Sequence, residues 1–229
     1  LEKGRARSLI RFSPIMDSLF SKATILVENE TDALFYSETI EAYLRSSSNR
    51  KLSLGPDDLL FLSVGGKSAL GRTAELVRSL RSVVLVAADF DVVDDWGLLE
   101  NALKGLGVGD RSTIHALHKT MLMSVDKFAA KVGYEKAAVM GEMKNAGLTY
   151  GDPELQLASA ALLAALDEVG MTLSHVGELE DFDSELRALH GKTEWANQAV
   201  RVGRHHTEEA RKFAERLLCK LVGSKSPLA

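Results

Sequence analysis

The chain has 229 residues, of which 45% are hydrophobic and 26% charged, and its formal net charge is −4. This composition is typical of a globular protein with one or two domains and a sizeable core. No apolar stretch approaches the roughly 20 residues that a membrane-spanning helix needs, so we expect no membrane partner. The single cysteine, Cys219, excludes an internal disulfide framework and favours a reducing, cytoplasmic setting.

The first half of the chain alternates segments that favour strands with segments that favour helices. Runs of β-branched and aliphatic residues predict buried parallel strands, and helical spacing of apolar residues predicts the helices between them. The predicted strands cover residues 23–27, 59–64 and 82–88, and the predicted helices cover 30–44, 69–80 and 96–106. This βαβαβα order predicts an α/β fold with a mostly parallel sheet flanked by helices.

The pattern changes after residue 108. Only helical periods occur between residues 109 and 170, and a further strand is predicted at 172–176. We therefore expect an all-helical subdomain at 109–171, inserted into an α/β domain that is formed by residues 1–108 and 172–229. The last part of the chain predicts helices at 181–190, 194–202 and 207–222.

Acidic residues follow three of the predicted strands, close to the point where each strand ends. They are Glu28, Asp32, Asp89, Asp91, Glu178 and Glu180. Ligands of open parallel sheets bind just beyond the carboxyl ends of the strands, so we expect these side chains to surround one crevice. Carboxylates in such a cluster repel one another unless a cation lies among them. The sequence therefore predicts a site for divalent metal ions.

The ligand types favour magnesium or manganese. One residue separates Asp89 from Asp91, and in an extended segment both carboxylates would face one cation. No cysteine–histidine cluster with zinc spacing occurs, because His205 and His206 are adjacent and cannot share one helix face. Two such ions about 4 Å apart can activate a water and stabilise the leaving oxygen of a phosphodiester. For Asp32 the alternative is a role in stabilising the helix dipole alone.

Several cationic residues are candidates for contact with phosphate. Lys67 lies in a GGKS turn and Lys192 in the segment HGKTEW, where a lysine could stabilise charge on a scissile phosphate. The alternatives are a tight glycine turn for the first and a solvated loop lysine for the second. Basic residues also cluster near both ends of the chain, where they could follow a nucleic-acid backbone or occupy solvated helix faces. The clusters are Lys3, Arg5, Arg7 and Arg11, then Arg201, Arg204, His205, His206, Arg211, Lys212, Arg216 and Lys220.

These segments resemble the Toprim domain, the metal-binding module of topoisomerases, primases and certain nucleases. ILVENETDALFY is similar to its first motif and VVLVAADFD to its DxD motif. FLSVGGKSA, GELEDF and HGKTEWA resemble the C-terminal region of the OLD (overcoming lysogenization defect) family nucleases. One position departs from the family, since Asn29 stands where glycine is common after the first glutamate. Asparagine tolerates a positive φ better than most residues, so we expect the turn to survive.

The resemblance implies a Toprim-type fold and two-metal cleavage of DNA, by nicking and by cutting both strands. It implies that Glu28, Asp32, Asp89, Asp91, Glu178 and Glu180 bind two Mg²⁺ or Mn²⁺ ions and that Lys192 is the catalytic lysine. It further implies that an ABC-type ATPase region precedes this one in the full-length protein, and a homodimer through the full-length protein is an open expectation.

The leading hypothesis is a divalent-metal-dependent DNA endonuclease with Glu28, Asp89 and Lys192 as its catalytic residues. A topoisomerase or primase is the nearest alternative, although strand passage needs a nucleophilic tyrosine. A phosphotransfer protein would leave Glu178 and Glu180 without a role. The non-enzymatic alternative is a Toprim-like module that only binds DNA or dimerises.

Overall fold

The structure, a computed structural model, describes residues 15–46, 54–187 and 192–223, apart from the side chains of residues 184, 187, 192 and 193. Its strands are β1 (Ala23–Val27), β2 (Leu59–Ser63), β3 (Val83–Ala88) and β4 (Met171–Leu173). In the described part of the chain they form one parallel sheet in the order β2-β1-β3-β4. The predicted α/β fold, with a mostly parallel sheet flanked by helices, is confirmed.

Helices separate these strands and follow the last of them. They are α1 (Glu30–Arg45), α2 (Leu70–Ser79), α3 (Trp96–Gly105), α4 (Ser112–Val132), α5 (Lys136–Ala146), α6 (Pro153–Val169), α7 (Ser184–Arg187), α8 (Lys192–Arg201) and α9 (Glu208–Val222). None of the helices within the described ranges is long and apolar enough to cross a membrane.

The alternation of side chains along the central strands divides the core into two layers. Ile25 and Val27 of β1 pack with α1, α8 and α9 on one face, whereas Leu26 packs with α2 to α6 on the other. All five residues of β1 are buried, which is what a central strand covered on both faces requires. The sheet therefore presents to solvent mainly the loops at the ends of its strands, and the predicted acids lie in those loops.

The fourth strand is shorter than predicted and begins one residue earlier. It ends at Leu173 rather than at residue 176, although the amide of Ser174 still donates to the carbonyl of Ala88 at 2.9 Å. The chain then turns toward α5, and the carbonyl of His175 accepts a hydrogen bond from the amide of Leu148 at 2.9 Å. Contact with the helical segment thus replaces further pairing with β3.

The helix predicted at 181–190 is also different. A 3-10 helix occupies Leu179–Asp183, the short helix α7 follows, and residues 188–190 lie outside the described residues. Helices α4 to α6 pack in the same hydrophobic layer as β3. The division of the chain at residues 109 and 171 into an inserted subdomain and a catalytic domain stays a prediction.

Glycine at position 105 allows α2 and α3 to touch through their backbones. A Cβ atom at Gly105 would lie 2.1 Å from the carbonyl oxygen of Gly71. This oxygen is part of the backbone, so it cannot move aside as the end of a side chain could. We expect Gly105→Ala to lower the free energy of unfolding by about 2–3 kcal/mol because the helices must separate. Urea unfolding followed by circular dichroism measures this change.

The matched control is Gly141→Ala in α5. A Cβ atom there meets nothing within 4 Å, so we expect a gain in stability of roughly 0.5–1 kcal/mol from the better helix propensity of alanine. Equal stability of Gly105→Ala and the parent chain would show that the α2–α3 contact is not as close as described.

Candidate metal and phosphate site

The loop after β1 is held in place by the loop after β2. Glu28 directly follows β1, and its carbonyl accepts hydrogen bonds from the amides of Gly65 and Gly66 at 2.9 and 2.8 Å. Gly65 and Gly66 have φ values of 81° and 123°, which favour glycine. The alternative interpretation of the GGKS segment as a tight turn therefore agrees with its backbone, and the turn places Lys67 beside the first acidic loop.

Asp32 combines a structural role with its position in the site. The side chain of Asn29 accepts hydrogen bonds from the amides of Thr31 and Asp32, and one carboxylate oxygen of Asp32 accepts from the amide of Asn29 at 3.2 Å. This capping box starts α1. Asn29 has a φ of −145°, so the turn needs no residue with positive φ at this position. Asn29 stands where the family commonly has glycine, and it serves as the N-cap residue of α1.

Asp89 and Asp91 lie in different surroundings. Asp89 is extended and buried at the end of β3, but a 3-10 helix begins at Phe90 and includes Asp91. The expected geometry, with both carboxylates on one side of an extended segment, is therefore wrong. The two side chains divide between two groups of charges.

The first group consists of four carboxylates whose charges act on Tyr36. Tyr36 is fully buried on α1, one turn after Asp32. Burial raises the pKa of Tyr36 well above its usual value, and the negative charges of four carboxylates raise it further. These carboxylates belong to Asp89, Asp32, Glu28 and Glu180. Four of the six predicted metal ligands are thus near enough to one buried phenol for their charges to act on it.

The second group is a pair of carboxylates linked by lysines. Lys67 Nζ donates to Asp91 Oδ2 at 2.8 Å, and Lys144 Nζ lies 3.2 Å from the same oxygen and 3.1 Å from Glu178 Oε1. Burial alone would raise the pKa of Asp91, but the two ammonium groups outweigh it and hold the pKa below its usual value. The hydrogen bond to Glu178 raises the pKa of Lys144, which is therefore charged at neutral pH.

The sequence suggested that the loop with Glu178 and Glu180 continues directly from a strand. In the structure it does not. Four residues separate Leu173 from Glu178, and this segment packs against the end of α5. The amide of Glu178 donates to the carboxylate of Asp181 at 2.9 Å, and Glu180 is 9% exposed in the following 3-10 helix. A turn closed by Asp181 therefore directs the two glutamates into separate groups.

The predicted phosphate contacts at Lys192 and at the two basic clusters are only partly described by the structure. Lys192 is the first residue of α8, and its side chain lies outside the described residues, as do Lys3, Arg5, Arg7 and Arg11. In the described C-terminal part, Arg216 is buried against Asp167, and Arg211 pairs with Glu208 and Glu215. The expectation that Arg216 faces a phosphate is therefore wrong.

The carboxylates fit a hard divalent cation in their chemistry. The predicted ligands are oxygen donors only, which suits magnesium and manganese. As placed in the described residues, no three Asp, Glu, His or Cys side chains stand close enough together to hold a metal ion. The acids instead form the two groups defined above, one around Tyr36 and one around Lys144.

Two residues in these groups escaped the sequence analysis. Tyr36 could have been found, because residues four apart on a helix share one face and Asp32 was already a candidate. Lys144 carries no such signal: its pairing depends on how α5 packs against the loop before Glu178.

Residues 19–91 match the family model described as "Overcoming lysogenization defect protein-like, TOPRIM domain". The matched segment contains Glu28, Asp32, Asp89 and Asp91, whereas Glu178, Glu180 and Lys192 lie beyond it. No curated protein and no solved structure was found to match the chain.

Proposed function

We propose that the chain is a divalent-metal-dependent DNA endonuclease, because residues 19–91 match the OLD-like Toprim family model. Toprim domains act on nucleic acid and generally use divalent metals. The observation that carries the proposal is that the charges of four predicted metal ligands, Asp89, Asp32, Glu28 and Glu180, all act on the buried Tyr36. Bringing side chains of like charge together in a partly buried site costs free energy unless a cation lies among them.

Two ions of Mg²⁺ or Mn²⁺ are proposed as cofactors. Glu28, Asp32, Asp89 and Glu180 would hold one, and Asp91 and Glu178 would contribute to the other. Bound there, the ions would supply activation of a water and neutralisation of charge at the phosphodiester. Glu28 and Asp89 would orient the reacting groups, and Lys192 would offset charge on the phosphate.

Tyr36 has a supporting role in this proposal. Its phenol stays protonated because burial and the surrounding negative charges raise its pKa. A neutral hydroxyl adds no charge to the crowded acids. The same shift makes Tyr36 a poor nucleophile, which disfavours a topoisomerase reaction through this residue.

The family resemblance also suggests a substrate, a preceding region and an oligomeric state for the full-length protein, and we propose these as well. We infer that DNA is the substrate, that an ABC-type ATPase region precedes this region in the full-length protein, and that the full-length protein forms a homodimer. We also infer a cytoplasmic location, since the sequence has a single cysteine, Cys219, and its thiol is buried.

Cleavage of supercoiled plasmid DNA tests the proposal. The chain is incubated with Mg²⁺, Mn²⁺ or EDTA, and the products are separated on agarose gels. We expect nicked and then linear DNA with either metal and unchanged supercoiled DNA with EDTA, because the carboxylates alone cannot activate water. Relaxed, closed circles would favour a topoisomerase instead. Plasmid that stays intact with both metals would count against nuclease activity of this chain.

Calorimetric titration with Mn²⁺ separates an inactive enzyme from a module that only binds DNA or dimerises. If heat of metal binding is measured but no cleavage occurs, the assignment of the metal site would hold and the proposal that DNA is the substrate would be wrong. The absence of any binding heat would favour the non-enzymatic alternative.

A further inference from the structure

Lys144 occupies the position between the two acids of the second group. Its ammonium group lies 3.2 Å from Asp91 Oδ2 and 3.1 Å from Glu178 Oε1. These oxygens come from segments that are 87 residues apart in the chain. One ammonium therefore joins two carboxylates that the family resemblance assigns to a metal.

The backbone around Lys144 is packed too closely for this placement to be accidental. A Cβ atom at Gly177 would lie 2.5 Å from the carbonyl oxygen of Lys144, and one at Gly147 would lie 2.1 Å from the carbonyl oxygen of His175. The amide of Phe90 also donates to the carbonyl of Gly177 at 3.3 Å. The end of α5, the loop before Glu178 and the loop after β3 thus meet through their backbones.

Lys144 is nevertheless able to leave. Its side chain is 39% exposed, while those of Asp91 and Glu178 are 14% and 20% exposed. A lysine has a flexible four-carbon stem and a compact, strongly hydrated charge, so an ammonium at this depth exchanges a carboxylate for water at little cost. Lys67 pairs with the same oxygen of Asp91, at 2.8 Å, and keeps that carboxylate in place.

We propose that Lys144 is a resident cation of the Asp91–Glu178 group and that a divalent metal ion displaces it. The inference rests on the proposed function, because it assigns Asp91 and Glu178 to a metal. In the metal-free protein the ammonium offsets the repulsion between the two acids. On metal binding it moves to solvent. The helical segment therefore competes with the second metal ion and lowers the affinity of the site for it.

Calorimetric titration of the 229-residue chain with Mn²⁺ tests the proposal. We expect Lys144→Gln to bind Mn²⁺ about three- to tenfold more tightly at the weaker site, because the competing cation is gone. Lys127→Gln is the matched control, since Lys127 lies on α4, pairs with Glu154 at 2.6 Å and is 64% exposed. Its affinity for Mn²⁺ should equal that of the parent chain.

A second measurement uses the unaltered protein. Acetylation of lysines, followed by mass spectrometry, should modify Lys144 faster with Mn²⁺ than with EDTA, relative to Lys127 in the same sample. Displacement exposes the amine of Lys144 and leaves that of Lys127 unchanged. An equal rate in both conditions would overturn the displacement.

The outcomes separate the two proposals. If the parent chain binds Mn²⁺ but Lys144→Gln binds it equally or less tightly, Lys144 does not compete and only this inference fails. If the parent chain binds no Mn²⁺, the proposed function fails and the inference fails with it. Tighter binding by both Lys144→Gln and Lys127→Gln would reflect net charge alone and would also overturn the inference.

Discussion

Replacing Asp89 by alanine is expected to lower the rate of plasmid cleavage by at least about 100-fold, as loss of one electrostatic group does at a catalytic centre. Asp89 is 7% exposed and sits at the end of a central strand whose residues 84–88 are all buried. Among the carboxylates whose charges raise the pKa of Tyr36, that of Asp89 has the largest effect. We therefore expect Asp89 to be the acid on which the first group most depends.

The design of this experiment separates lost chemistry from lost folding. Asp89→Asn keeps the shape of the side chain and removes its charge, so it should be as defective as the alanine variant. Asp57→Ala, an exposed acid near the opposite end of β2, is the control and should cleave at the parental rate. Parental cleavage by both Asp89 variants would sink the metal mechanism, because the best-placed acid would have no role.

Replacing Arg216 by methionine is expected to lower the free energy of unfolding by about 3–5 kcal/mol, because it leaves the carboxylate of Asp167 buried without its counter-charge. Arg216 is 1% exposed and donates to both oxygens of Asp167 at 2.8 and 3.1 Å. Its third described hydrogen bond goes to the carbonyl of Leu173 at 3.0 Å. One side chain thus joins α6, α9 and the last residue of β4.

Two further variants test whether the charge or the packing of Arg216 matters. Arg216→Met with Asp167→Leu should recover most of the lost stability, since an apolar pair of similar volume avoids the buried charge altogether. Arg211→Met, on the exposed side of α9, should change stability by no more than about 0.5 kcal/mol. Urea unfolding of the four chains gives these values. A single variant as stable as the double variant would show that Asp167 needs no partner.

The central strands could be predicted because their local composition indicates that they are buried. The run ATILV is covered on both faces in the structure, and only β-branched and aliphatic residues suit that position. The fourth strand was predicted less well. Its predicted run, TLSHV, also contains Ser174 and His175. After Ser174 the backbone turns so that the carbonyl of His175 accepts from the amide of Leu148, and this competition between partners is not a local property.

The sequence predicted which acids come near one another but not how they are arranged. Placement after parallel strands identified Glu28, Asp89 and Glu180, and in the structure the charges of these three act on Tyr36. Their role as metal ligands stays a prediction. The separation of Asp91 from Asp89 depends on the 3-10 helix that begins at Phe90. A glycine-like turn was expected at Asn29, but the capping box with Asp32 explains that residue better.

The sequence by itself determined that acids follow the strands of a parallel sheet, and the resemblance to the Toprim domain and the expectation of a divalent metal both rest on these acids. Short-range patterns suffice for this, since strand burial, the period of the helices and the position of a residue after a strand are all local. Only the tertiary structure decided that the acids form two groups and that Lys144 stands in one of them. That contact joins helix α5 to loops dozens of residues away, and it exists because glycines at 147 and 177 let their backbones meet.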